Sequence, residues 1–410
     1  MLKKILSVFA LFAITTAVYA GGPENKTNHS PGYSRMPAKN TECRKTDAMF
    51  YNPAGTAFME EGLHFSLGNQ FVYKKYTNEF DGKTYKTDLP TYLYPNMELV
   101  WVKDKSAIFT GFSLFSGGGG VEWKHGSAET IKALRDVAAQ TGVASLTSMD
   151  HSLECFSVVY GNMTGISHQF WDGKLSVGAA AKLLYGYKTI TAEAAETPTG
   201  ANAMVLGTDT TLADIQMNGW GAGAALGVHF KPTPRWDIAV TYNSQLEVYY
   251  EYTKFSGKGA SLLIPEGEKG EHDNYIIPAT VTFGIGWRPI EPLYLAAGCD
   301  IFFNRIAGYD YKDSFEINFG AEYKINDIFT VSAGGFYCNI GSNQRENGNN
   351  YTSPVLDSMS YCGGCEVHFT DKLYADIGFF YTQYFDETFH DVKINKKIFE
   401  GAVGLTYKLF

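Results

Sequence analysis

The 410-residue sequence is 45% hydrophobic and 15% aromatic, with 43 glycines, yet only 19% charged, where a soluble domain carries about 25%. Its formal charge of −9 at pH 7 sets it against nucleic acid, a polyanion that is bound through Lys and Arg. No Pro-rich, Ser-rich or charged linker divides the chain, so one large architecture is expected in place of two or three soluble domains.

Lys3 and Lys4 stand before an apolar stretch from Ile5 to Val18, and Val18-Tyr19-Ala20 offers small residues at the cleavage positions. This predicts a secretory signal peptide over residues 1–20. The run is shorter than the roughly 18 to 20 residues of a membrane-spanning helix, and no later segment reaches that length. The mature chain is therefore expected to begin near Gly21, without a membrane helix and, since no cysteine follows the cleavage site, without a lipid anchor.

Residues 21–61 show no strand alternation and are too polar to lie in lipid, yet they precede the first strand, expected from Gly62. A segment of that size at the mouth of a barrel is expected inside it, as a plug or hatch. It contains Phe50-Tyr51-Asn52-Pro53-Ala54-Gly55. Asn52-Pro53-Ala54-Gly55 has the chemistry of a tight turn: Pro53 fixes φ, the Asn52 side chain can bond nearby backbone, and Gly55 tolerates positive φ.

From residue 62 to 410 the pattern alternates with period two. Leu175, Val177, Ala179, Ala181, Leu183 and Tyr185 interleave with Ser176, Gly178, Ala180, Lys182, Leu184 and Gly186; Trp236 to Asn243 and Ile277 to Trp287 repeat the pattern. One apolar face per strand is the implication. Several runs exceed ten residues, longer than the usual five or six of a soluble strand and long enough to cross a bilayer. Short turns are expected at 103–105, 171–174, 232–235, 289–292, 326–327 and 370–372. Long loops are expected around 77–89, 117–150, 191–217, 251–274, 305–313, 341–357 and 386–395. Six turns and seven loops join fourteen strands, which predicts an all-β, 14-stranded antiparallel transmembrane β-barrel over residues 62–410. Trp101, Trp171, Trp236 and Trp287 sit near the short turns, as an aromatic girdle at one membrane interface requires. The last strand, Phe399 to Phe410, ends on an aromatic residue, as barrels handled by the outer-membrane assembly machinery commonly do. Phe410 is out of phase with Val403, Leu405, Tyr407 and Leu409, which an extra residue or a bulge would explain.

Within the loops, Ala128 to Thr141 reads as a helix ended by Gly142, and two apolar clusters, Ala203-Met204-Val205-Leu206 and Leu262-Leu263-Ile264, interrupt polar sequence. Exposed apolar patches mark binding surfaces, so Met204, Val205, Leu206, Leu262, Leu263 and Ile264 are candidate substrate contacts. Loops that bury small cores of their own would carry the same residues. Lys182, on the polar face of its strand and far from either end, is a candidate cation for a carboxylate ligand; pairing with a lumen carboxylate such as Glu98 or Asp376 is the ordinary alternative. The six cysteines include Cys362-Gly363-Gly364-Cys365, but positions three apart in a strand face opposite sides and no second pair completes a zinc site. The cysteines are read as inert or simply paired, with no metal and no cofactor. No GxSxG, HExxH or His/carboxylate constellation appears among the nine histidines, so no enzyme is expected.

Over nearly its whole mature length the sequence resembles the FadL-type transporters, the outer-membrane channels for long-chain fatty acids and aromatic hydrocarbons. Asn52-Pro53-Ala54 stands where that family carries Asn-Pro-Ala, at the end of its hatch. Phe115-Ser116-Gly117-Gly118, the stretch Gly219 to Val228, Thr241-Tyr242-Asn243-Ser244, Ile277-Pro278-Ala279-Thr280-Val281 and Gly320-Ala321-Glu322-Tyr323 match further in order and spacing. The resemblance implies a monomer in the outer membrane of a Gram-negative bacterium, with a hydrophobic small molecule, a fatty acid or similar compound, as its partner. Capture would fall to the external loops, in a groove between the two apolar clusters, and Asn52, Pro53, Ala54 and Gly55 would flank a lateral exit where the third strand kinks inward. Residues Asn25 to Arg44 depart from the best-known members, so no ligand contact is carried over there. The same barrel could instead hold a protein partner, as a component of secretion or surface assembly.

Overall fold

The computed structural model describes residues 28–410 apart from 88, 265–266, 310–311, 342–350 and 353–355; the expected signal peptide and the first hatch residues lie outside the described residues. Fourteen wall strands follow in chain order. They are β1 (Gly62–Phe80), β2 (Lys83–Thr87 and Pro90–Lys103), β3 (Ser106–Trp123), β4 (His151–Phe170), β5 (Leu175–Ala194), β6 (Thr211–Thr233) and β7 (Trp236–Asn243 and Leu246–Ser256). The second half comprises β8 (His272–Ile277 and Thr280–Ile290), β9 (Leu293–Phe302), β10 (Ser314–Lys324), β11 (Phe329–Asn339), β12 (Ser358–His368), β13 (Leu373–Tyr384 and Glu387–Phe389) and β14 (Val392–Lys408). Pairing between chain neighbours is antiparallel throughout, and β14 returns to β1, with His64 opposite Lys408 and Glu79 opposite Lys393. Closure is what lets a sheet satisfy its backbone in hydrocarbon.

The apolar face points outward, the reverse of a soluble sandwich. On β5, Val177, Leu183 and Tyr185 are exposed while Ser176 and Lys182 are buried on the inner side. Ile238, Val240 and Tyr242 on β7 repeat this, with Asp237 and Thr241 inside. Trp101, Trp171, Trp236 and Trp287 all lie exposed near the short turns, the last two stacked 5.5 Å apart. No helix among the described residues is long and apolar enough to cross a membrane.

All six short turns fall where expected, but most of the long loops are shorter than the sequence suggests. Residues 77–80 and 83–87 are strand, joined through Asp81 and Gly82 at positive φ (52° and 70°). β3 continues through Gly117 to Trp123, and β14 begins at Val392 instead of Phe399 and ends at Lys408. Hydropathy reports only the stretch that meets lipid. A ladder stays stable in water beyond it, where polar side chains on both faces are tolerated. Phe410 lies past the last strand yet still accepts a hydrogen bond from the Leu63 amide (3.2 Å).

Residues 28–61 fill the lumen. Ser30 caps α1 (Pro31–Arg35) by accepting from the Tyr33 amide (3.1 Å); α2 (Ala48–Tyr51) then leads into a 3₁₀ turn over Pro53–Phe58. Contacts run to inward side chains all round the wall: Asn28 to Glu400 on β14, Tyr33 to Glu316 on β10, Asn40 to Asp300 on β9, and Thr56 to Ser167 on β4. The expected loop helix is α3 (Ala128–Thr141), with a capping box between Ser127 and Thr130.

Candidate ligand path through the barrel

The hatch is seated by charge. Arg35, fully buried, pairs with Glu322 (2.8 Å), Asp376 (3.0 Å) and Glu366 (3.4 Å), and Lys45 pairs with the last two. Arg44 holds Glu322 at 2.9 Å. Within the hatch, Lys39 sits between Glu42 (2.9 Å) and Asp47 (3.2 Å). Burial alone would raise the Glu42 carboxyl, but the Lys39, Arg44 and Lys45 cations outweigh it and hold it well below the usual carboxylate range.

Asn52-Pro53-Ala54-Gly55 forms the turn its chemistry predicts. The Asn52 carboxamide accepts from the Ala54 amide (3.0 Å) and donates to the Val228 carbonyl (3.1 Å), which ties the turn to β6. Small wall residues make the fit possible: a Cβ on Gly178 would lie 2.6 Å from the Ala54 nitrogen, and one on Gly227 2.2 Å from Asn52 Oδ1. The turn therefore rests against β4 to β6. Phe50 and His29, not the turn itself, reach the Gly-rich part of β3, with ring centroids 6.1 and 5.0 Å from Phe115.

Above the hatch lies a small chamber of about 90 Å³, lined by His29, Tyr33, Phe50, Tyr51, Phe115, Leu246, Ile277 and Phe302 and, on its polar side, by Asn40, Asn243, Thr280 and Asp300. Lys182 projects into it. The ammonium donates to Asn243 Oδ1 (2.6 Å) and lies 5.3 Å from the Phe115 ring; among the described residues no carboxylate forms an ion pair with it. The ordinary alternative fails on geometry. Glu98 accepts from Asn96 (2.6 Å) and Thr46 (3.2 Å), and Asp376 belongs to Arg35 and Lys45. Asn243 falls on the inner face by the same alternation as Asp237, Ala239 and Thr241, at the last residue before an interruption of β7 that is matched by one in β8 at Pro278 and Ala279. Its amide then donates to Thr280 (3.0 Å).

Beside the chamber the wall has a seam. The β2–β3 ladder runs from Lys103 opposite Ser106 to Met97 opposite Phe112, and among the described residues no rung joins the two strands beyond that pair. Toward β4, β3 carries two surplus residues: the five steps from Leu114 to Gly119 stand opposite three steps from Tyr160 to Ser157. Gly117 and Gly119 absorb them at φ 85° and 76°, conformations that favour glycine. Two carbonyls freed at the break, those of Gly118 and Gly120, accept from the Lys74 ammonium on β1, the second at 2.6 Å. On β2, Tyr92 and Leu93 are left 70% and 64% exposed.

Beneath the hatch the chemistry inverts. A cavity of about 550 Å³ at the short-turn rim is lined largely by charge, including Arg44, Lys45, Glu60, Arg288, Glu322, Lys324, Glu366 and Lys408. At the other rim the two apolar loop clusters meet. Leu206 and Leu263 are buried in one hydrophobic cluster with Leu212 and Ala260, and Val205, Leu262 and Ile264 pack against it. Met204 alone of the six is widely exposed, at 81%. All six cysteines are free thiols.

That Asn243 and Phe115 meet Lys182 and that Lys74 reaches the Gly-rich stretch escaped the sequence reading; an inward kink of the third strand was expected, but not the missing rungs beside it. Signals were there: Pro90 and Pro95 in β2 lack the amide that a paired strand donates, and Gly117 to Gly120 is a run no regular strand needs.

No family model matches the sequence, and no curated protein matches it. Among solved structures, a FadL homologue of Pseudomonas aeruginosa superposes with a TM-score of 0.69 at 14% identity, covering 94% of this chain and 99% of that one. The toluene transporter TodX of Pseudomonas putida gives 0.67 at 17% identity (93% and 98%), and the toluene transporter TbuX of Ralstonia pickettii 0.63 at 16% (94% and 99%). At such identities the likeness speaks for architecture, and the chain has the closed 14-strand fold of the FadL-type outer-membrane channels.

Proposed function

We propose that the protein is an outer-membrane channel for hydrophobic small molecules, which are gathered at the external loops, held in the chamber beside Lys182 and released sideways through the seam between β2 and β3. The observation that carries this is the interrupted ladder beside a chamber walled by aromatic and aliphatic side chains with a few polar groups, set above a hatch whose underside is charged. An apolar molecule gains about 25 cal/mol per Å² of surface kept from water, so the route into lipid is downhill and the route through the charged vestibule is not. Two of the similar structures are toluene transporters by name, which supports a hydrophobic cargo.

Lys182 narrows the class. A lysine buried without a carboxylate is a costly arrangement, and a ligand carboxylate between its ammonium and the Asn243 amide would repair it. Long-chain fatty acids carry that group, so they are the proposed cargo, with Met204, the exposed member of the two loop clusters, as the first apolar contact and Val205, Leu206, Leu262, Leu263 and Ile264 as the packed base behind it. Asn52, Pro53, Ala54 and Gly55 serve as the pivot that keeps the hatch against the wall below the chamber.

Native mass spectrometry of the purified barrel tests the cargo: bound fatty acid is the expected result, and a barrel that retains only secreted polypeptide would overturn the reading. Deleting Gly117 and Gly118 tests the exit. It removes the two surplus residues, so the ladder can close, and uptake should fall while ligand still binds; unchanged uptake would exclude the seam.

A further inference from the structure

Among the described residues, Cys43, His229 and Asp237 each offer one ligand atom, and those atoms lie within 4.8 Å of one another. We propose that these three side chains bind a divalent transition-metal ion of the zinc type, which fastens the hatch to the barrel wall. The site is independent of what the barrel carries.

Geometry is the first support. His229 Nε2 lies 3.0 Å, and Cys43 Sγ 3.8 Å, from Asp237 Oδ1. Around a tetrahedral zinc, with Zn–S near ~2.3 Å and Zn–N and Zn–O near ~2.0 Å, ligand atoms stand roughly 3.3 to 3.6 Å apart. A modest closing of the trio, whose ligand atoms now lie within 4.8 Å of one another, would complete the shell, with water at the fourth position. Donor chemistry is the second: thiolate and imidazole select zinc and its soft neighbours, whereas calcium and magnesium want oxygen throughout. All three residues are buried, at 1% exposure or less.

The third support is how the ligands are held. His229 on β6 and Asp237 on β7 are brought together by the register that sets Phe230 opposite Ile238. Phe58 packs edge-on against the His229 ring at 5.1 Å, and Arg288 Nη1 holds Asp237 Oδ2 at 2.6 Å, so Oδ1 faces the thiol. Outer contacts of this kind orient metal ligands. Lys231 stands 3.8 Å from Oδ1, but its side chain is partly exposed and lies over Phe58, from which it can swing toward solvent. The Cys43 thiol loses its proton to solvent as the sulfur–metal bond forms, and thiolate and carboxylate together offset the dication while Arg288 stays as the outer partner of Asp237.

Cys43 belongs to the hatch and its partners to the wall, 194 residues away in the case of Asp237. Metal would therefore stabilise the seated hatch by binding the docked arrangement and not the released one.

The test uses the full barrel in detergent, stripped with a chelator, reduced, and titrated with Co²⁺. A thiolate-to-cobalt absorption band should saturate at one ion per barrel, disappear on addition of Zn²⁺, and be lost in Cys43→Ser, and Zn²⁺ should raise the thermal midpoint of the wild type only. A variant in which the other five cysteines are serine keeps the test meaningful if Cys43→Ser fails to fold, since it must retain the band. Absence of the band in folded wild-type protein, or its loss in the five-serine variant while Cys43 remains, would overturn the site.

Discussion

Replacing Arg35 with Met should unlatch the hatch without unfolding the barrel. The side chain is fully buried and pairs with three wall carboxylates; removing one partner of such a network costs about 3 to 5 kcal/mol, because the charges left behind are desolvated and unmatched. The low end applies here. Lys45 still serves Glu366 and Asp376, and Arg44 still serves Glu322. About 3 kcal/mol corresponds to roughly a hundredfold change in an equilibrium at 1.36 kcal/mol per decade. Single barrels in planar bilayers should thus show open events about a hundred times more often than wild type. Heat-modifiable migration on gels would establish that the variant is folded, and Arg35→Lys should recover part of the closure. Wild-type conductance from a folded Arg35→Met barrel would refute the claim that this network seats the hatch.

Lys182→Met keeps the length of the side chain and removes the charge, so long-chain fatty acid binding should weaken by about tenfold or more, given that charged hydrogen bonds contribute roughly 1.5 to 3 kcal/mol. Toluene binding should hardly change, and equal loss of both ligands in a binding titration would mean that the lysine only shapes the chamber. Gly178→Val drives a side chain into the backbone at Ala54; an overpacking cost of about 1 to 3 kcal/mol should appear as a lower thermal midpoint, and an unchanged midpoint would show that the turn is not pressed against β5. Outside the membrane, Glu129 on α3 is buried, which raises its pKa above the ordinary 4.5, against hydrogen bonds from the Thr352 amide (3.1 Å) and hydroxyl (2.6 Å). A raised carboxyl favours the packed loop fully below about 4.5 and loses that effect as pH climbs through its own higher value. Limited proteolysis around α3 should therefore be slower in mild acid than at neutral pH after correction for protease activity, and Glu129→Gln should abolish the difference.

The wall was legible in the sequence because lipid imposes one rule on every strand: apolar side chains alternate outward, and tryptophans gather by the short turns. Asn52 was legible as a turn residue since its role is local, a side chain bonded to an amide two residues on. Lys182 could be placed on the inner face by period alone, but its partner could not. That Asn243 receives the ammonium depends on which inward side chain two strands away, on β7, stands level with Lys182, and that Glu98 and Asp376 serve others depends on where Asn96, Thr46, Arg35 and Lys45 sit. Strand ends above the membrane were missed for a different reason, since hydropathy falls silent where both faces meet water. The trio of Cys43, His229 and Asp237 was invisible, because nothing near Cys43 in the chain resembles a metal motif.

The seam also bears on how fast anything can pass. In an intact ladder a sideways exit would break several backbone hydrogen bonds in an apolar medium, each worth about 4 to 6 kcal/mol there, which is local unfolding. Between β2 and β3 those rungs are missing from the start, and the gap is spanned by side chains: Lys74 of β1 reaches the Gly118 and Gly120 carbonyls, and Thr87 accepts from the Glu122 amide (3.0 Å). On the proposed route the obstacle is an ammonium, one side-chain hydrogen bond and a few apolar side chains, whose motions take nanoseconds to microseconds, in place of a strand that must peel away. On the proposed route, a standing break in the wall takes the place of a gate that would have to be forced.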